Sequence, residues 1–330
     1  SHPNGMSVAV VGGGIAGLSA SLLLARAGAE VTVFESGERL GGMLAPVPYD
    51  GLVLDRGSHR VHPAAHPLLL ELTEEARWMR RPRRGLLILR GRMLHYPLAP
   101  LRFVQGLGPT TTLKMGLGWL RRPSALGRTF SWERDRQQAA TDIGFEAFVT
   151  QRVGRAAYTM FYEPYARKVW GMDPAELSQS VAKQRVSASS PLSSILRRSA
   201  SEYLYPEDGM ASLISLLEHK AVQEGVTIHR SRWYSFAAQS KGAVFYTGHL
   251  SDLVDDAVLG HRGLYLLHLS VPEDCLSDTD TWYAPESKYW FGRVSQPAQF
   301  SEALRVPGRR ALCVEVPEGA WGTDMQFAEH

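Results

Sequence analysis

The chain has 330 residues, enough for one or two domains with a substantial hydrophobic core. Hydrophobic residues make up 44% and charged residues 21%, a composition that excludes a wholly disordered, collagenous or coiled-coil protein. The formal net charge of +3 is too small to indicate nucleic-acid binding through bulk electrostatics. We therefore expect a globular protein that binds a small molecule and no nucleic acid, and the sequence leaves its oligomeric state open.

The two cysteines predict neither a disulfide framework nor a metal site. Cys275 and Cys313 lie far apart, and no Cys-x-x-Cys spacing occurs. This usage is typical of a reducing compartment, so we expect a cytoplasmic location. No run of about 18 apolar residues indicates a membrane-spanning helix, and we expect no signal sequence before the first predicted strand.

The amino-terminal residues predict a β-α-β unit. Ser7–Val11 is a short apolar run of the kind that forms a buried parallel strand. Leu18–Ala27 is rich in leucine and small residues, which indicates a helix, and Gly28 is placed to end it. A second strand, Val31–Phe34, leads directly to the carboxylate of Glu35.

A Gly-x-Gly-x-x-Gly spacing lies between the first strand and the helix. Gly12 permits a tight turn, Gly14 lets the backbone approach a pyrophosphate, and Gly17 lets the helix pack on the strand. The helix N-terminus offers free N–H groups and a partial positive charge to phosphates. Glu35 is placed to accept both hydroxyls of a ribose. The remaining residues of this predicted nucleotide site are Gly13, Ile15 and Ala16.

The residues after Glu35 favour FAD over NAD. Arg39 is followed by Gly41 and Gly42, and one Arg charge with two unobstructed backbone amides can face a second phosphate. In this segment the sequence resembles the flavin-containing amine oxidase and protoporphyrinogen oxidase superfamily. That superfamily also includes carotenoid-type desaturases and UDP-galactopyranose mutases. The resemblance implies FAD as the cofactor, with these three residues around its pyrophosphate and with Ser36 and Met43 beside them.

The resemblance continues where relatives carry a Gly-x-His-like stretch beside the flavin ring. It implies that Arg56, Gly57, Ser58 and His59 lie close to the flavin. His59 is also a catalytic candidate, because a histidine at this place could tune the flavin electrostatics or relay a proton.

A third stretch, Phe161–Gly171, resembles the F-x-x-P-Y-x-x-K-x-W-G segment of the protoporphyrinogen-oxidase-like and mutase-like branches. The resemblance places it in the substrate-side domain. The implied substrate-binding residues are Tyr162, Tyr165, Lys168 and Trp170. An alternative stays open, since aromatic residues at helical spacing commonly form a core. Arg185 is a second catalytic candidate, near the position of a mutase arginine that contacts the substrate diphosphate but one residue out of register.

The predicted fold class is α/β, with a Rossmann-like FAD-binding domain of a GR2-type flavoprotein and a mixed α+β substrate domain. Tyr205–Met210 resembles the segment in which relatives return to the FAD domain. We assign residues 6–75 and 205–245 to the FAD-binding domain. The substrate domain takes a largely helical part, 76–204, and an antiparallel-sheet part, 246–330, with no counterpart of the segment that closes over FAD in relatives.

The predicted function is an FAD-dependent oxidoreductase, whether oxidase, dehydrogenase or desaturase, that moves a hydride from substrate to flavin N5. Two alternatives stay open, namely a mutase-like enzyme with non-redox chemistry at N5 and a non-catalytic partner that keeps the fold. The arginine-rich Arg77–Arg92 followed by the apolar Leu94–Leu120 could contact a membrane surface. A solvated basic face beside a packed segment is the simpler interpretation.

Overall fold

The structure is a computed structural model, and it describes residues 5–63, 65–96, 106–120, 142–183, 202–236, 242–253 and 261–320. The chain divides into two compact units. Unit 1 comprises Ser1–Arg81, Tyr203–His261 and Phe300–Arg310. Unit 2 comprises Pro82–Glu202, Arg262–Gln299 and Ala311–His330. Each unit therefore combines segments that are distant in sequence.

The strands, in chain order, are β1 (Ser7–Val11), β2 (Glu30–Phe34), β3 (Val47–Tyr49), β4 (Leu52–Leu54), β5 (Trp78–Pro82), β6 (Gly85–Leu89), β7 (Arg92–Tyr96), β8 (Glu202–Pro206), β9 (Thr227–His229), β10 (Ala243–Tyr246), β11 (Leu264–Pro272), β12 (Thr281–Tyr283), β13 (Arg293–Ser295) and β14 (Arg309–Pro317). The helices are α1 (Ile15–Arg26), α2 (Pro67–Leu72), α3 (Pro109–Leu120), α4 (Phe145–Val153), α5 (Arg155–Ala157), α6 (Glu163–Trp170), α7 (Gln179–Lys183), α8 (Ala211–Gln223) and α9 (Pro297–Phe300). A π-helical turn, Tyr158–Tyr162, joins α5 to α6.

Unit 1 contains a four-stranded parallel sheet in the order β10-β1-β2-β9. Val10 lies between Val33 of β2 and Phe245 of β10 in the register. Its core is made by apolar side chains that α1, α8 and the sheet bury together, among them Val8, Val10, Leu18, Leu22, Val31, Val33, Ile214 and Leu217. This parallel β-α-β arrangement places the carboxyl ends of β1, β2 and β10 along one edge, where doubly wound sheets bind ligands.

A second core of unit 1 lies around the two-stranded sheet formed by β5 and β8. Tyr203 and Tyr205 of β8 are fully buried there with Phe300 and Leu304. The ring centroids of Tyr205 and Phe300 lie 5.3 Å apart. Trp78 of β5 packs against this core as well, so three sequence segments of the unit meet there.

Unit 2 is built on a six-stranded sheet in the order β11-β14-β13-β12-β6-β7. The β6–β7, β12–β13 and β13–β14 pairs are antiparallel, whereas β12 and β6 run parallel. A helical core packs Phe145, Phe148, Val149 and Tyr158 together. Helix α6 ends at Gly171, which has a left-handed φ of 68°.

In the part of the chain that the structure describes, no helix has the length and apolar composition needed to cross a membrane.

Candidate cofactor-binding site

The turn after β1 is shaped by glycines that the packing requires. Gly12 has a φ of +103°, and a Cβ there would lie 2.6 Å from Oγ1 of Thr247. A Cβ on Gly17 would lie 1.9 Å from the carbonyl oxygen of Gly12. Any larger residue at either position must therefore displace the backbone of the turn, because these contacts are far shorter than van der Waals distance.

Gly14 differs from these two glycines because packing does not require the absence of a side chain there. Its φ is −77°, and among the described residues a Cβ would meet no atom closer than 3.8 Å, an ordinary van der Waals distance. The nearest atoms belong to Gly41 and Gly42, and Gly41 N–H donates a 2.9 Å hydrogen bond to the Gly13 carbonyl. We call Gly12–Gly17 together with Gly41 and Gly42 the phosphate cradle. Gly14 is partly exposed and Gly42 is exposed, and we call the accessible surface beside them the Gly14 gap, where a pyrophosphate could approach the backbone.

The N-terminus of α1 opens onto this gap. Gly14 is the N-cap residue, and no side chain caps the helix. The first turn contains no acidic residue, so no neighbouring carboxylate in that turn competes for the first N–H groups. A helix of 12 residues with such an end presents a partial positive charge and free donors to an anion.

Glu35 follows β2 and its carboxylate is held by two backbone amides. Gly13 N–H donates to Oε2 at 2.8 Å, and Gly37 N–H donates to Oε1 at 2.7 Å. An ionised carboxylate offers about four acceptor positions. The Ser36 hydroxyl also makes a long contact of 3.5 Å with Oε1. Oε2 therefore keeps capacity for one more donor, and Oε1 can take a second ribose hydroxyl in place of the Ser36 contact.

The other residues predicted near the pyrophosphate line the surface of the same region. Ser36 and Arg39 are exposed, and Met43 is 66% exposed although it is apolar. Ile15 and Ala16 belong to the first turn of α1. The Arg39 guanidinium is thus accessible to a phosphate, and its contact with one stays a prediction.

Sequence reasoning missed one residue of this region, Thr247. It follows β10, and its hydroxyl lies 2.9 Å from the Val11 carbonyl and 3.2 Å from the Gly12 carbonyl. Thr247 is separated from the glycine turn by more than 200 residues. The spacing within the turn contains no signal for it, and only the parallel pairing of β10 with β1 brings it there.

The segment predicted beside the flavin ring, Arg56–His59, is flanked on both sides by residues that form hydrogen bonds with β8. Asp55, before it, accepts a hydrogen bond from the Tyr205 hydroxyl, and Val61, after it, exchanges backbone hydrogen bonds with Leu204. Between these anchors Gly57 has a φ of +94° and is buried with Ser58. Arg56 is exposed and His59 is half-buried. The segment is thus anchored at both ends, and its closeness to flavin stays a prediction.

Asp55 is a buried carboxyl within unit 1. Its Oδ1 accepts the Met210 N–H at 3.0 Å, and its Oδ2 accepts the Tyr205 hydroxyl. Burial raises the pKa of Asp55 to about 6, although both hydrogen bonds oppose the rise. The same burial, together with the neighbouring carboxylate, raises the pKa of Tyr205 well above its usual value.

Two of the predicted substrate residues belong to an aromatic cluster in unit 2. Tyr162 and Tyr165 both lie against Phe161, with ring centroids 4.7 Å and 5.8 Å away. Tyr165 also meets Tyr283 of β12 edge-on at 6.2 Å. A small apolar pocket lies in this unit, lined by Leu87, Leu89, Met115, Ala157, Met160, Phe161 and Tyr162. Tyr162 therefore has both a packing role and access to an apolar recess.

The Lys168 side chain binds the backbone of the loop that follows β12 in unit 2. Its ammonium group donates to the backbone carbonyls of Ala284 and Glu286 at 2.6 Å and of Phe291 at 3.2 Å. An ammonium group has three donors, so all of them are used within the unit. Burial lowers the pKa of Lys168 to about 8, and the charge of Glu286 opposes this change. Among the other candidates, Trp170 is 37% exposed, and Arg185 lies outside the described residues.

A family model described as flavin containing amine oxidoreductase matches residues 15–259, which include most of the cradle, Glu35 and Thr247. The chain belongs to this family. Protoporphyrinogen oxidase 2 of Arabidopsis thaliana is 27% identical over 183 residues, which cover 53% of this chain and 34% of that relative. A carotenoid 3,4-desaturase of Haloarcula japonica is 50% identical over 54 residues, covering 16% of this chain and 11% of the relative. The chain thus spans at most about a third of these two relatives.

A solved structure of reduced UDP-galactopyranose mutase has the same fold as this chain. The TM-score is 0.75 at 17% identity, with 95% of this chain and 75% of the mutase covered. The Rossmann-like FAD-binding fold predicted from the sequence is therefore confirmed, and so is FAD as the family's cofactor. The gap at Gly14, the uncapped α1 and the free acceptor capacity of Glu35 all fit that cofactor. Among the described residues no group of His, Cys, Asp or Glu side chains is arranged to hold a metal ion.

Proposed function

We propose that this chain carries the cofactor site of an FAD-dependent oxidoreductase that takes a hydride from a small-molecule substrate. The observation that carries the proposal is the accessible backbone at Gly14, a position that packing does not require to be glycine, at the uncapped N-terminus of α1. A glycine that packing does not require, at a helix end that no side chain caps, is best explained by an anionic ligand.

Different residues of the site would bind different parts of FAD. The cradle backbone and the α1 N-terminus would hold the pyrophosphate, with Arg39 adding a positive charge at its exposed side. Glu35 would accept the ribose hydroxyls at the positions that the Gly13 and Gly37 amides leave open, with the long Ser36 contact displaced. When bound, FAD supplies a hydride acceptor, so the protein needs chiefly to orient the substrate and exclude water.

The segment anchored at Asp55 and Val61 would present His59 towards the reacting region. A half-buried histidine can hold or release a proton near neutral pH, which suits a substrate that loses a hydride and a proton. Tyr162, beside the apolar pocket of unit 2, would contact an apolar part of the substrate. Lys168 is the weakest of the substrate candidates, because its three donors already bind carbonyl groups.

A mutase-like activity without net redox change is the second candidate. Its support is the similarity of fold over 95% of this chain to UDP-galactopyranose mutase. Fold similarity at 17% identity does not select a reaction, because one fold serves many chemistries. The two candidates share the cofactor site and differ in whether the flavin must be reduced before turnover begins.

The first test is FAD binding by the purified chain, measured by titration of flavin fluorescence and by the visible absorption of the retained cofactor. Gly14→Val fills the gap, and Glu35→Ala removes the ribose acceptor, so both are expected to weaken retention. Gly116→Val is the matched control, because Gly116 lies exposed in α3 with no described atom within 4 Å of its Cβ position. Unchanged flavin content in Gly14→Val and Glu35→Ala would refute the assigned cradle.

The second test separates the reactions. An oxidoreductase is expected to bleach its flavin anaerobically when a candidate amine or alkene precursor is added. A mutase-like enzyme is expected to turn over a nucleotide sugar only after dithionite reduction. A chain that stays colourless with excess FAD would instead be a non-catalytic partner.

A further inference from the structure

Thr247 occupies the place where β10 meets the phosphate cradle. Tyr246, the last residue of β10, pairs with Val11 of β1, so Thr247 stands directly beside Gly12. Its backbone N–H continues the parallel ladder by donating to the Val11 carbonyl at 2.8 Å. From the opposite side Gly12 N–H donates to the Phe34 carbonyl at 2.9 Å. The first residue of the turn is therefore held between two neighbouring strands.

The Thr247 hydroxyl adds hydrogen bonds to the turn just beyond the end of β1. Its single proton is shared between the Val11 carbonyl, 2.9 Å away, and the Gly12 carbonyl, 3.2 Å away. Both acceptors are the last carbonyls of the strand before the chain bends into the turn. A hydroxyl at this point fixes the direction of the Gly12 peptide, which a backbone ladder alone does not do once pairing has ended.

The Gly12 carbonyl also limits how closely α1 can pack against the turn. A Cβ on Gly17 would lie 1.9 Å from the Gly12 oxygen and 3.0 Å from Oγ1 of Thr247. The Gly12 oxygen is thus enclosed by Gly17 on one side and the Thr247 hydroxyl on the other. If that oxygen rotated away, the first turn of α1 and the gap at Gly14 would shift with it.

We propose that Thr247 is a positioning residue for FAD, whose hydroxyl holds the Gly12 carbonyl in the orientation that lets α1 pack against the turn and direct its N-terminus at the pyrophosphate. This inference rests on the proposed function, and it adds a residue that does not itself touch the cofactor. In the cofactor-free protein the turn can relax and let water bind the Gly12 carbonyl. The FAD-bound form requires the held conformation, so loss of the hydroxyl weakens binding more than folding.

The experiment compares FAD dissociation constants and unfolding temperatures of the full chain. Thr247→Val keeps the shape and removes the hydroxyl, and the dissociation constant for FAD is expected to rise about tenfold, as for loss of one hydrogen bond in the bound state. Thr247→Ser keeps the hydroxyl and is expected to restore most of the affinity. Thr227→Val is the matched control, since Thr227 lies exposed on β9 of the same sheet.

Each outcome bears on the inference. A lower unfolding temperature of cofactor-free Thr247→Val with an unchanged FAD dissociation constant would overturn it and leave the proposed function standing. Failure of the unsubstituted chain to bind FAD would overturn both. If Thr247→Val does not fold, Thr247→Ala replaces it, because alanine removes the hydroxyl without pressing a methyl group against the carbonyl. Weak binding by Thr247→Ser as well would assign the effect to packing and overturn the role of the hydroxyl.

Discussion

The hydroxyl of Tyr205 donates a 2.5 Å hydrogen bond to Oδ2 of Asp55, and both side chains are buried. The two residues are 150 positions apart in sequence. Their contact joins the end of the β3–β4 hairpin to β8, directly before the segment predicted to lie beside the flavin. A buried carboxyl at this joint also makes the stability of unit 1 depend on pH.

We expect the buried Asp55 carboxyl to lower the free energy of unfolding as pH rises from about 4 to above 6. The folded form keeps its proton up to a pKa of about 6, whereas the ordinary value for the carboxyl is 3.8. The free energy of unfolding therefore falls across this window, by about 3 kcal/mol for a shift of this size. Asp55→Asn should remove that slope in unfolding measurements between pH 4 and pH 7. Asp50→Asn, at the exposed tip of the same hairpin, should keep it, and equal slopes in both variants would contradict the prediction.

An added methyl group should lower the stability of the folded protein at Gly17 and the affinity for FAD at Gly14. Gly17→Ala places Cβ 1.9 Å from the Gly12 oxygen, so we expect the cofactor-free protein to lose about 1–3 kcal/mol of stability or more. Gly14→Ala meets no described atom within 3.8 Å, so its unfolding temperature should stay close to normal while FAD binding weakens. Thermal unfolding and FAD titration of both variants check this. Equal loss of stability in the two would show that the gap is not a ligand site.

Lys168→Met should destabilise unit 2, because three backbone carbonyls lose their donor. We expect a loss of about 2–4 kcal/mol, measured by denaturant unfolding. Lys288→Met is the control, since Lys288 forms an exposed ion pair with Glu286 and should change stability by less than about 1 kcal/mol. If Lys168→Met instead left stability unchanged and raised KM for a substrate, Lys168 would belong to the substrate site.

His59→Ala should change the reduction potential of bound flavin, or the rate of its reduction, with little effect on folding. The expected cause is loss of a titratable ring near the flavin, on a segment that the Asp55 and Val61 anchors continue to hold. His219→Ala, on the exposed face of α8, serves as the control. Identical potentials and kinetics in His59→Ala and the unsubstituted protein would make His59 a bystander.

Local patterns predicted the amino-terminal unit well because its signals act over short distances. The apolar run Ser7–Val11 predicts β1 with the bounds that the structure shows. Helix α1 begins at Ile15, three residues before the predicted start, because Gly14 takes the N-cap position.

The unit 2 sheet was harder to foresee. β6 and β7 lie within 76–204, which the sequence suggests is largely helical. They enter the sheet because β6 pairs with β12, with Gly85 opposite Thr281, nearly 200 residues later. Pairing between strands so distant leaves no periodic signal in either segment, so the sequence indicates a strand at most and never its partner.

The β-α-β unit, the glycine turn and the carboxylate after β2 are predictable from the residues alone, since each follows from residue types at fixed short spacing. The fold adds that Thr247 reaches Gly12, that the Lys168 ammonium binds three carbonyls, and that Gly14, unlike Gly12 and Gly17, has room for a Cβ. These contacts join distant segments, so they depend on which strands pair and which faces meet. Spacing along the chain does not encode that choice.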